Sequence, residues 1–198
     1  MIFSVVPAGV RPPVSSMSQA TSITLAWRAP DSPNGVIIAY EVYRFQSSAV
    51  LVYNGTLLSA TDTGLQPGTF YTYALRARTL AGATQSASAF IRTLDSAPTG
   101  LSAPLIGNIT QTSVAVAWSK PTRENGVILY YSVSANGGEQ YRGTGFSASL
   151  VQLTPFTSYN ITLLACTAGG CTVSWSSTTT LPAGMWSFFF LLCLSSQR

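Results

Sequence analysis

The sequence contains no histidine, and only 8% of its 198 residues are charged. The lack of histidine removes the commonest general base, the usual Ser and Cys catalytic triads, and every zinc site that uses histidine. The six acidic residues are dispersed, without the paired carboxylates of acid/base chemistry or the spacing of a calcium loop, and no phosphate-binding loop is present. We therefore expect no catalytic site, no metal, no cofactor and no small-molecule substrate.

Basic residues are few and scattered. The ten Lys and Arg residues give a formal net charge of +4, but they are not clustered with aromatics as a nucleic-acid groove requires. We expect no nucleic-acid partner. The first residues, "MIFSVVPAGVRPP", lack the basic and apolar regions of a secretory signal, so an extracellular location would make this chain a fragment or an incomplete gene model.

The residues that are abundant favour strands and turns. Ser, Thr, Gly, Pro, Val and aromatics dominate the chain. Apolar residues alternate with polar ones, as in Ile23, Leu25 and Trp27, and this period of two predicts strands with one buried face. Turn residues recur about every 8 to 12 residues, which is typical of short antiparallel strands in a sandwich.

The strongest feature is an internal repeat. The stretch "SITLAWRAPDSPNGVIIAYEV" matches "SVAVAWSKPTRENGVILYYSV" without a gap, at the 91-residue offset that separates Trp27 from Trp118. The match resumes at "LQPGTFYTYALRA" and "LTPFTSYNITLLA". Two copies of one structural unit are therefore present. We expect domains over residues 1–95 and 96–183, followed by a divergent apolar tail over 184–198.

Both copies resemble fibronectin type III domains. The resemblance rests on a strand-B tryptophan, a strand-C tyrosine, and a Leu-x-Pro-x-Thr-x-Tyr corner at the start of strand F. It implies an all-β fold of two tandem immunoglobulin-like β-sandwich domains, in which the tryptophan fills the space between the sheets and the corner tyrosine returns its hydroxyl to nearby backbone. The residues assigned to this structural core are Trp27, Tyr40 and Tyr71 in the first copy and Trp118, Tyr131 and Tyr159 in the second.

Two of the three cysteines flank a predicted turn between strands F and G. Facing residues of antiparallel strands lie about 4.5 to 5.5 Å apart, within the reach of a disulfide, so we favour a bond between Cys166 and Cys171. Free thiols, a redox pair and half of a metal site are the alternatives. A disulfide would place the chain in an oxidising compartment. The first copy has no cysteine in its equivalent stretch, "RARTLAGATQSAS".

Three Asn-x-Thr sequons are consistent with an oxidising, secretory route. They begin at Asn54, Asn108 and Asn160, although such short motifs also arise by chance as ordinary strand or turn residues. Asn160 alternates with Tyr159 and Ile161, so it should point outward from the sheet that contains strands C, F and G.

One charged group is a candidate partner surface. Arg76, Arg78 and Glu41 are predicted on the outer face of the first C–F–G sheet. A ligand-binding basic patch is one interpretation, and the favoured one is a solvated cross-strand ion pair worth well under about 1 kcal/mol. Trp175 is the other candidate for a binding surface.

The function implied by the resemblance is structural. The repeated Asn-Gly-Val-Ile turns and the cysteine hairpin resemble modules of long fibronectin type III arrays, which implies a large extracellular glycoprotein that links cells and matrix, with roles in stereocilia and photoreceptors. We expect protein partners only. The alternative is a ligand-binding receptor ectodomain of the receptor-phosphatase or cytokine-receptor type; an intracellular muscle-type array is disfavoured by the cysteine pair and sequons.

The apolar tail is predicted to be disordered or a splice or gene-model end. Its apolar run is about half the roughly 20 residues that a membrane-spanning helix needs. Membrane contact through it is therefore not expected.

Overall fold

A computed structural model of the chain describes residues 5–184, and the fifteen regular elements in that range are all β-strands. The expectation of an all-β fold built from antiparallel sheets is confirmed. The chain divides into two compact units, Met1–Ser96 and Ala97–Arg198, called unit 1 and unit 2 below. The predicted tail, apart from Gly184, falls outside the described residues.

Unit 1 is a sandwich of two antiparallel sheets. One sheet has the order β1-β2-β5; in the other the order is β4-β3-β6, and both β7 and β8 pair with the free edge of β6. The strands are β1 (Val14–Ser18), β2 (Ser22–Ala26), β3 (Ala39–Phe45), β4 (Ala49–Gly55), β5 (Ser59–Thr63), β6 (Phe70–Thr79), β7 (Gly82–Gln85) and β8 (Ala89–Arg92).

Unit 2 repeats this arrangement with one strand fewer. Its sheets have the orders β13-β10-β9 and β12-β11-β14-β15. The strands are β9 (Leu105–Ile109), β10 (Val114–Ala117), β11 (Tyr130–Ala135), β12 (Gly138–Gly143), β13 (Ser147–Leu150), β14 (Ser158–Thr167) and β15 (Gly170–Thr179).

The alternating pattern of the sequence defines the inner faces. In β2 the side chains of Ile23 and Leu25 are completely buried, and in β14 those of Ile161, Leu163 and Ala165 are completely buried as well. Successive side chains of a strand point to opposite faces, so the residues between them form the outer faces. These outer faces carry the candidate functional residues.

The units differ at the edge strand beside β6 or β14. In unit 1 the pairs Arg76–Gln85 and Tyr73–Ala89 enclose one residue more on this edge strand than on β6. The extra residue makes a β-bulge, which divides the edge into β7 and β8. At the bulge Ser86 is buried, and its hydroxyl accepts a hydrogen bond (3.0 Å) from a backbone N–H of β6. In unit 2 the register is regular along all of β15.

Side chains of β15 also hold the segment over residues 98–104, which leads into β9. The hydroxyls of Thr172, Ser174 and Ser176 each donate to a backbone carbonyl of this segment, at 2.9 Å for Ser174 and 2.6 Å for Ser176. Two of the three carbonyls belong to prolines, which have no N–H to contribute to a β-ladder. Side-chain hydrogen bonds from β15 therefore hold this segment where the prolines cannot donate backbone hydrogen bonds.

Candidate functional site

The predicted core tryptophan of unit 1 lies between two tyrosines. Trp27 and Tyr40 are both buried, and the indole ring contacts Tyr40 and Tyr53 at centroid distances of 6.2 and 5.5 Å. Burial raises the pKa of Tyr40. The tilted geometry is typical of packed aromatic pairs, so these rings serve the core and present no surface to a ligand.

Unit 2 contains the same three-ring group. Trp118 contacts Tyr131 at 6.0 Å and Tyr141 at 5.4 Å. The third ring of each group, Tyr53 or Tyr141, was not predicted from the sequence. The signal was present as a repeated Tyr-x-Gly-Thr motif over residues 53–56 and 141–144.

The glycine of this motif makes room for the tyrosine. A Cβ added at Gly55 would lie 2.5 Å from the Tyr53 hydroxyl oxygen, and one at Gly143 would lie 2.7 Å from that of Tyr141. Each hydroxyl also accepts a hydrogen bond of 2.8 Å from a backbone N–H four residues further on. The ring therefore folds back over its own strand, and this is why the motif requires glycine.

The corner tyrosines contact backbone as the family pattern implies. The hydroxyl of Tyr71 accepts a hydrogen bond from the N–H of Gln66 at 2.7 Å, and that of Tyr159 accepts one from Thr154 at 2.8 Å. Tyr71 is buried, whereas Tyr159 is half-buried. Both tyrosines therefore fix a loop instead of forming a binding surface.

The repeated Asn-Gly turn has a structural role as well. Asn34 and Asn125 both have a φ of 53°, in the left-handed region that asparagine tolerates better than most residues. Their side-chain amides donate to the carbonyls of Val6 (2.8 Å) and Ala97 (2.9 Å). Each turn is thus tied to the first residues of its own unit.

The predicted charged group of unit 1 is a compact ion cluster. Glu41 receives hydrogen bonds from Arg78 (2.8 Å) and Tyr43 (3.1 Å) and lies 3.5 Å from an Arg76 nitrogen. Burial, the largest influence, would raise the pKa of Glu41, but the hydrogen bonds from Arg78 and Tyr43 and the charges of both arginines together lower it. Glu41 is buried although it lies on the outer face. The cross-strand ion pair between Glu41 and the arginines, which was predicted to be solvated, is therefore only partly solvated.

A second ion cluster lies inside unit 1. Arg44 donates from one nitrogen to both carboxylate oxygens of Asp62 at 2.8 Å, and the hydroxyl of Tyr73 donates to Asp62 at 2.8 Å. The Arg44 guanidinium also lies over the Tyr71 ring, 5.6 Å from its centroid. Burial, and then the hydrogen bond and charge of Asp62, raise the pKa of Tyr73. The sequence interpretation missed this cluster because its members are distant in the chain.

The register of unit 2 places apolar residues at the same three positions. Asp62 pairs with Ile23 in unit 1, and at the equivalent position of unit 2 Leu150 pairs with Val114. Arg44 pairs with Tyr73 in unit 1, and the equivalent pair of unit 2 is Ala135 with Ile161. The buried ion cluster of unit 1 is therefore an apolar contact in unit 2.

The acidic residues of the chain are all engaged in ion pairs. Besides Glu41 and Asp62, the pairs are Arg11–Asp31, Arg92–Asp95, Lys120–Glu124 and Arg142–Glu139. Among the described residues no group of three or more His, Cys, Asp or Glu side chains is placed to hold a metal ion. The carboxylates thus serve cross-strand and local pairing.

The cysteine pair lies at the β14–β15 hairpin. Cys166 and Cys171 are directly opposite each other, joined as a disulfide with Cα atoms 4.1 Å apart. Of the two turn glycines, Gly170 has a positive φ (132°) and Gly169 does not. The hydroxyl of Thr167 closes the turn by donating to the Gly170 carbonyl (3.2 Å) and accepting from the Gly169 N–H (3.1 Å).

Unit 1 forms the same turn without cysteines. Thr79 donates to the carbonyl of Gly82 (3.4 Å) and accepts from the N–H of Ala81 (3.3 Å), and Gly82 has a φ of 137°. Arg78 and Ala83 occupy the positions of the two cysteines. The turn geometry therefore arises from Thr and Gly, and the disulfide reinforces a hairpin that forms on other grounds.

The three sequon asparagines are exposed and lie on strands. Asn54 is on β4, opposite Glu41; Asn108 is on β9; and Asn160 is on β14 with its side chain on the outer face. Each of the three residues is therefore open to solvent.

Exposed aromatic residues form a face that was not predicted. On the outer side of the β3–β6–β8 sheet, Phe70 and Phe90 are 67% and 75% exposed, and Phe45 and Tyr43 lie beside them, in ring contact at 6.4 Å. Arg92 lies over the Phe70 ring at 5.8 Å. We call Tyr43, Phe45, Phe70 and Phe90 the aromatic face of unit 1. It adjoins the predicted Arg76–Arg78–Glu41 group.

Comparison with known proteins agrees with the paired sandwiches. The sequence profile of the Fibronectin type III domain matches residues 11–93 and 96–181. The chain belongs to the fibronectin type III family. Both fibronectin type III domains coincide with the units that the strands define.

Relatives with this domain include proteins of several kinds. Usherin of Rattus norvegicus is 38% identical over 170 residues, which cover 85% of this chain, and Usherin of Homo sapiens is 35% identical over the same length. Endoglucanase B of Cellulomonas fimi is 32% identical over 186 residues, 86% of this chain and 18% of that protein. The resemblance to Usherin, expected from the hairpin and turns, is confirmed.

The shared region is a small part of these relatives. The chain spans 3% of the length of each of the two Usherins. The described residues contain no helix with the length and apolarity needed to span a bilayer.

Proposed function

We propose that this chain is a pair of non-catalytic structural and adhesion modules belonging to a larger extracellular protein of the Usherin type. The observation that carries the proposal is the 38% identity to rat Usherin across 170 residues, a length that exceeds either unit alone. The modules act as folded spacers whose outer faces offer protein-binding surface. The resemblance extends the proposal to cell–matrix or cell–cell links in stereocilia and photoreceptors.

The side-chain chemistry supports an extracellular setting. A cross-strand disulfide between Cys166 and Cys171 persists in oxidising compartments. Asn54, Asn108 and Asn160 are all exposed, as acceptors of N-linked glycans must be. A structural disulfide is rare in the reducing cytosol.

The arrangement of charges supports a non-catalytic role. A general base needs a carboxylate that is free to take a proton from substrate, whereas here each acidic side chain is held by a basic one. The Endoglucanase B match covers only 18% of that protein, so the name of that relative assigns no catalysis to the shared segment.

Secretion of the full chain tests the proposal. Fused to a cleavable signal sequence in human cells, the chain should reach the medium folded, with a disulfide-linked peptide that joins Cys166 to Cys171 and a glycan on at least one sequon. Peptide mass spectrometry under non-reducing conditions reads out both. A different result would argue for an intracellular array: the signal-fused chain stays in the cell with free thiols, and a version expressed in the cytosol is as stable as the signal-fused one.

A second candidate function is protein recognition by a receptor ectodomain, favoured by the aromatic face of unit 1. Aromatic side chains, phenylalanine included, and arginine are enriched in protein–protein interfaces. The secreted chain, clustered on streptavidin, should then bind live cells, and a Phe70→Ser/Phe90→Ser variant should lose this binding by flow cytometry. A Val173→Ser variant, changed at an exposed site of unit 2, is the control; binding unaffected by the double change would favour a pure spacer.

A further inference from the structure

Trp175 is an exposed indole on the outer face of unit 2. It lies on β15, where the odd-numbered side chains from Cys171 to Thr179 are exposed, and 63% of its surface is open to solvent. The core residues Trp27 and Trp118, by contrast, are only 6% exposed. An indole held on a regular strand offers a flat apolar platform.

The sequon of Asn160 runs alongside this platform. Thr162, the hydroxyl residue of the sequon, is directly opposite Trp175, and Asn160 is opposite Ser177. Asn160 and Trp175 are therefore diagonal neighbours on one sheet face, a relation that separates them by roughly 7 to 8 Å and is within reach of large side chains.

The surroundings leave the indole uncovered and hold the sequon strand in place. The residue opposite Thr162 on the other side is Ser134, so the cross-strand row that begins at Trp175 continues with small polar side chains. Asn136 accepts a hydrogen bond from the Asn160 N–H (2.8 Å) and donates to a carbonyl of β14 (3.2 Å). The backbone of Asn160, the residue that would carry the glycan, is therefore held in place.

We propose that Asn160 carries an N-linked glycan whose first N-acetylglucosamine stacks on the indole of Trp175. A pyranose ring has one face of C–H bonds that is apolar and slightly positive, which suits the negative face of an aromatic ring. Stacking would remove apolar surface of both partners from water. The inference rests on the proposed extracellular function, because N-glycosylation takes place in the secretory pathway.

The attachment itself uses a lipid-pyrophosphate-linked oligosaccharide as donor. The side-chain amide nitrogen of Asn160 attacks the anomeric carbon and forms a C–N bond, the C–O bond to the pyrophosphate breaks, and the amide loses one proton. The lipid pyrophosphate leaves with the bonding electron pair. No oxidation or reduction is involved.

The other sequons provide internal comparisons. Asn54 faces the Glu41 carboxylate across its strand pair, and Asn108 lies on β9 in the opposite sheet. A glycan on either one would project without an opposing indole. Coupling to Trp175 is therefore expected for Asn160 alone.

A double-mutant cycle on the secreted full chain tests the stacking. The glycans are trimmed to a single N-acetylglucosamine with an endoglycosidase. The hydrogen-exchange protection of the β14 and β15 amides is then measured in protein with this sugar and in the Asn160→Gln variant, which lacks it. Both measurements are made with Trp175 present and in a Trp175→Ala background. The sugar should increase protection roughly two- to tenfold with tryptophan present and leave it unchanged in Trp175→Ala. The Asn54→Gln change should show no coupling.

Fluorescence gives an independent readout. In a Trp186→Phe background, acrylamide quenching reports Trp175 as the exposed indole among the described residues, and the sugar should reduce that quenching. Secreted, disulfide-bonded protein without a sugar on Asn160, or equal protection changes in both backgrounds, would overturn the inference while leaving the extracellular proposal intact. Failure of the proposed function itself would appear as absent secretion and free thiols.

Discussion

The buried ion cluster of unit 1 should be replaceable by the apolar residues of unit 2. Asp62 accepts two hydrogen bonds from Arg44 and one from Tyr73, each at 2.8 Å, and the exposed fractions of the Arg44 and Asp62 side chains are only 18% and 8%. The triple variant Arg44→Ala/Asp62→Leu/Tyr73→Ile reproduces the side chains that unit 2 carries at the same register positions. The comparison tests whether this charge pair stabilises the fold.

The single change should be far more harmful than the triple one. Asp62→Leu alone leaves the charge of Arg44 and the hydroxyl of Tyr73 without their partner in a poorly solvated place, which costs about 3 to 5 kcal/mol. The triple variant removes all three polar groups together. Its unfolding free energy should lie well above that of Asp62→Leu, because burying the ions costs solvation that apolar residues do not lose. Part of this gain is offset by the volume of Arg44 and Tyr73 that the smaller side chains leave unfilled.

Hydrogen–deuterium exchange on the full chain separates the two units. Peptides from β3 and β6 report unit 1, and peptides from β14 serve as an internal reference. Protection in unit 1 should fall more than about a hundredfold in the single variant and much less in the triple variant. If the triple variant loses as much protection as Asp62→Leu, the cluster supplies net stability and the reasoning is refuted.

The same variants should differ at high pH. The pKa of Tyr73 is raised above its ordinary value of 10.0 by burial and by Asp62. Its neutral hydroxyl therefore contributes stability that is fully present below about pH 10 and is lost as pH rises through the raised pKa. Wild-type unit 1 should lose stability on that side, and the triple variant should lose less.

Three further changes probe other parts of the chain. Because the pKa of Glu41 is lowered, its contribution is present above its ordinary pKa of 4.5 and is lost as pH falls through the lowered value; urea unfolding of Glu41→Gln should show less acid dependence than wild type, and equal dependence would contradict this. Replacing both cysteines of the 166–171 pair by serine should cost unit 2 about 2 kcal/mol in thermal or urea unfolding, with the turn amides still protected. Gly143→Ala would place a Cβ 2.7 Å from the Tyr141 hydroxyl oxygen and should cost about 1 to 3 kcal/mol, whereas Gly138→Ala, with a nearest contact of 3.5 Å, should be almost neutral.

The sequence was sufficient to predict the fold and much of its core. The ungapped repeat predicted two units, because the Trp27–Tyr40 and Trp118–Tyr131 pairs recur at one spacing. Period-two alternation then separated inner from outer faces, since strand geometry imposes that period. The corner tyrosines needed only local spacing.

The outer faces were harder to predict because exposure there depends on neighbours across the strands. Glu41 lies on an outer face but is buried by Arg76, Arg78 and Tyr43, which approach it from β3 and β6. Phe90 lies on an outer face too and remains exposed. Alternation gives both residues the same assignment, and only the cross-strand register distinguishes them.

The two units stabilise equivalent positions by chemically different cross-links. Arg78 of unit 1 and Cys166 of unit 2 occupy the same place in the hairpin, since they pair with Ala83 and Cys171 respectively. Arg78 is bound to Glu41 on the neighbouring strand β3, with 40% of the arginine side chain exposed, so acid and salt should weaken that link.

The cross-link of unit 2 should respond to a different reagent. A disulfide is insensitive to salt and mild acid but is cleaved by thiols. Exchange protection should therefore fall first in unit 1 at pH 3 in high salt and first at the β14–β15 hairpin in dithiothreitol at pH 8. If both units respond alike to both treatments, neither cross-link contributes the local stability assigned to it, and the shared Thr and Gly turn alone would account for the hairpins.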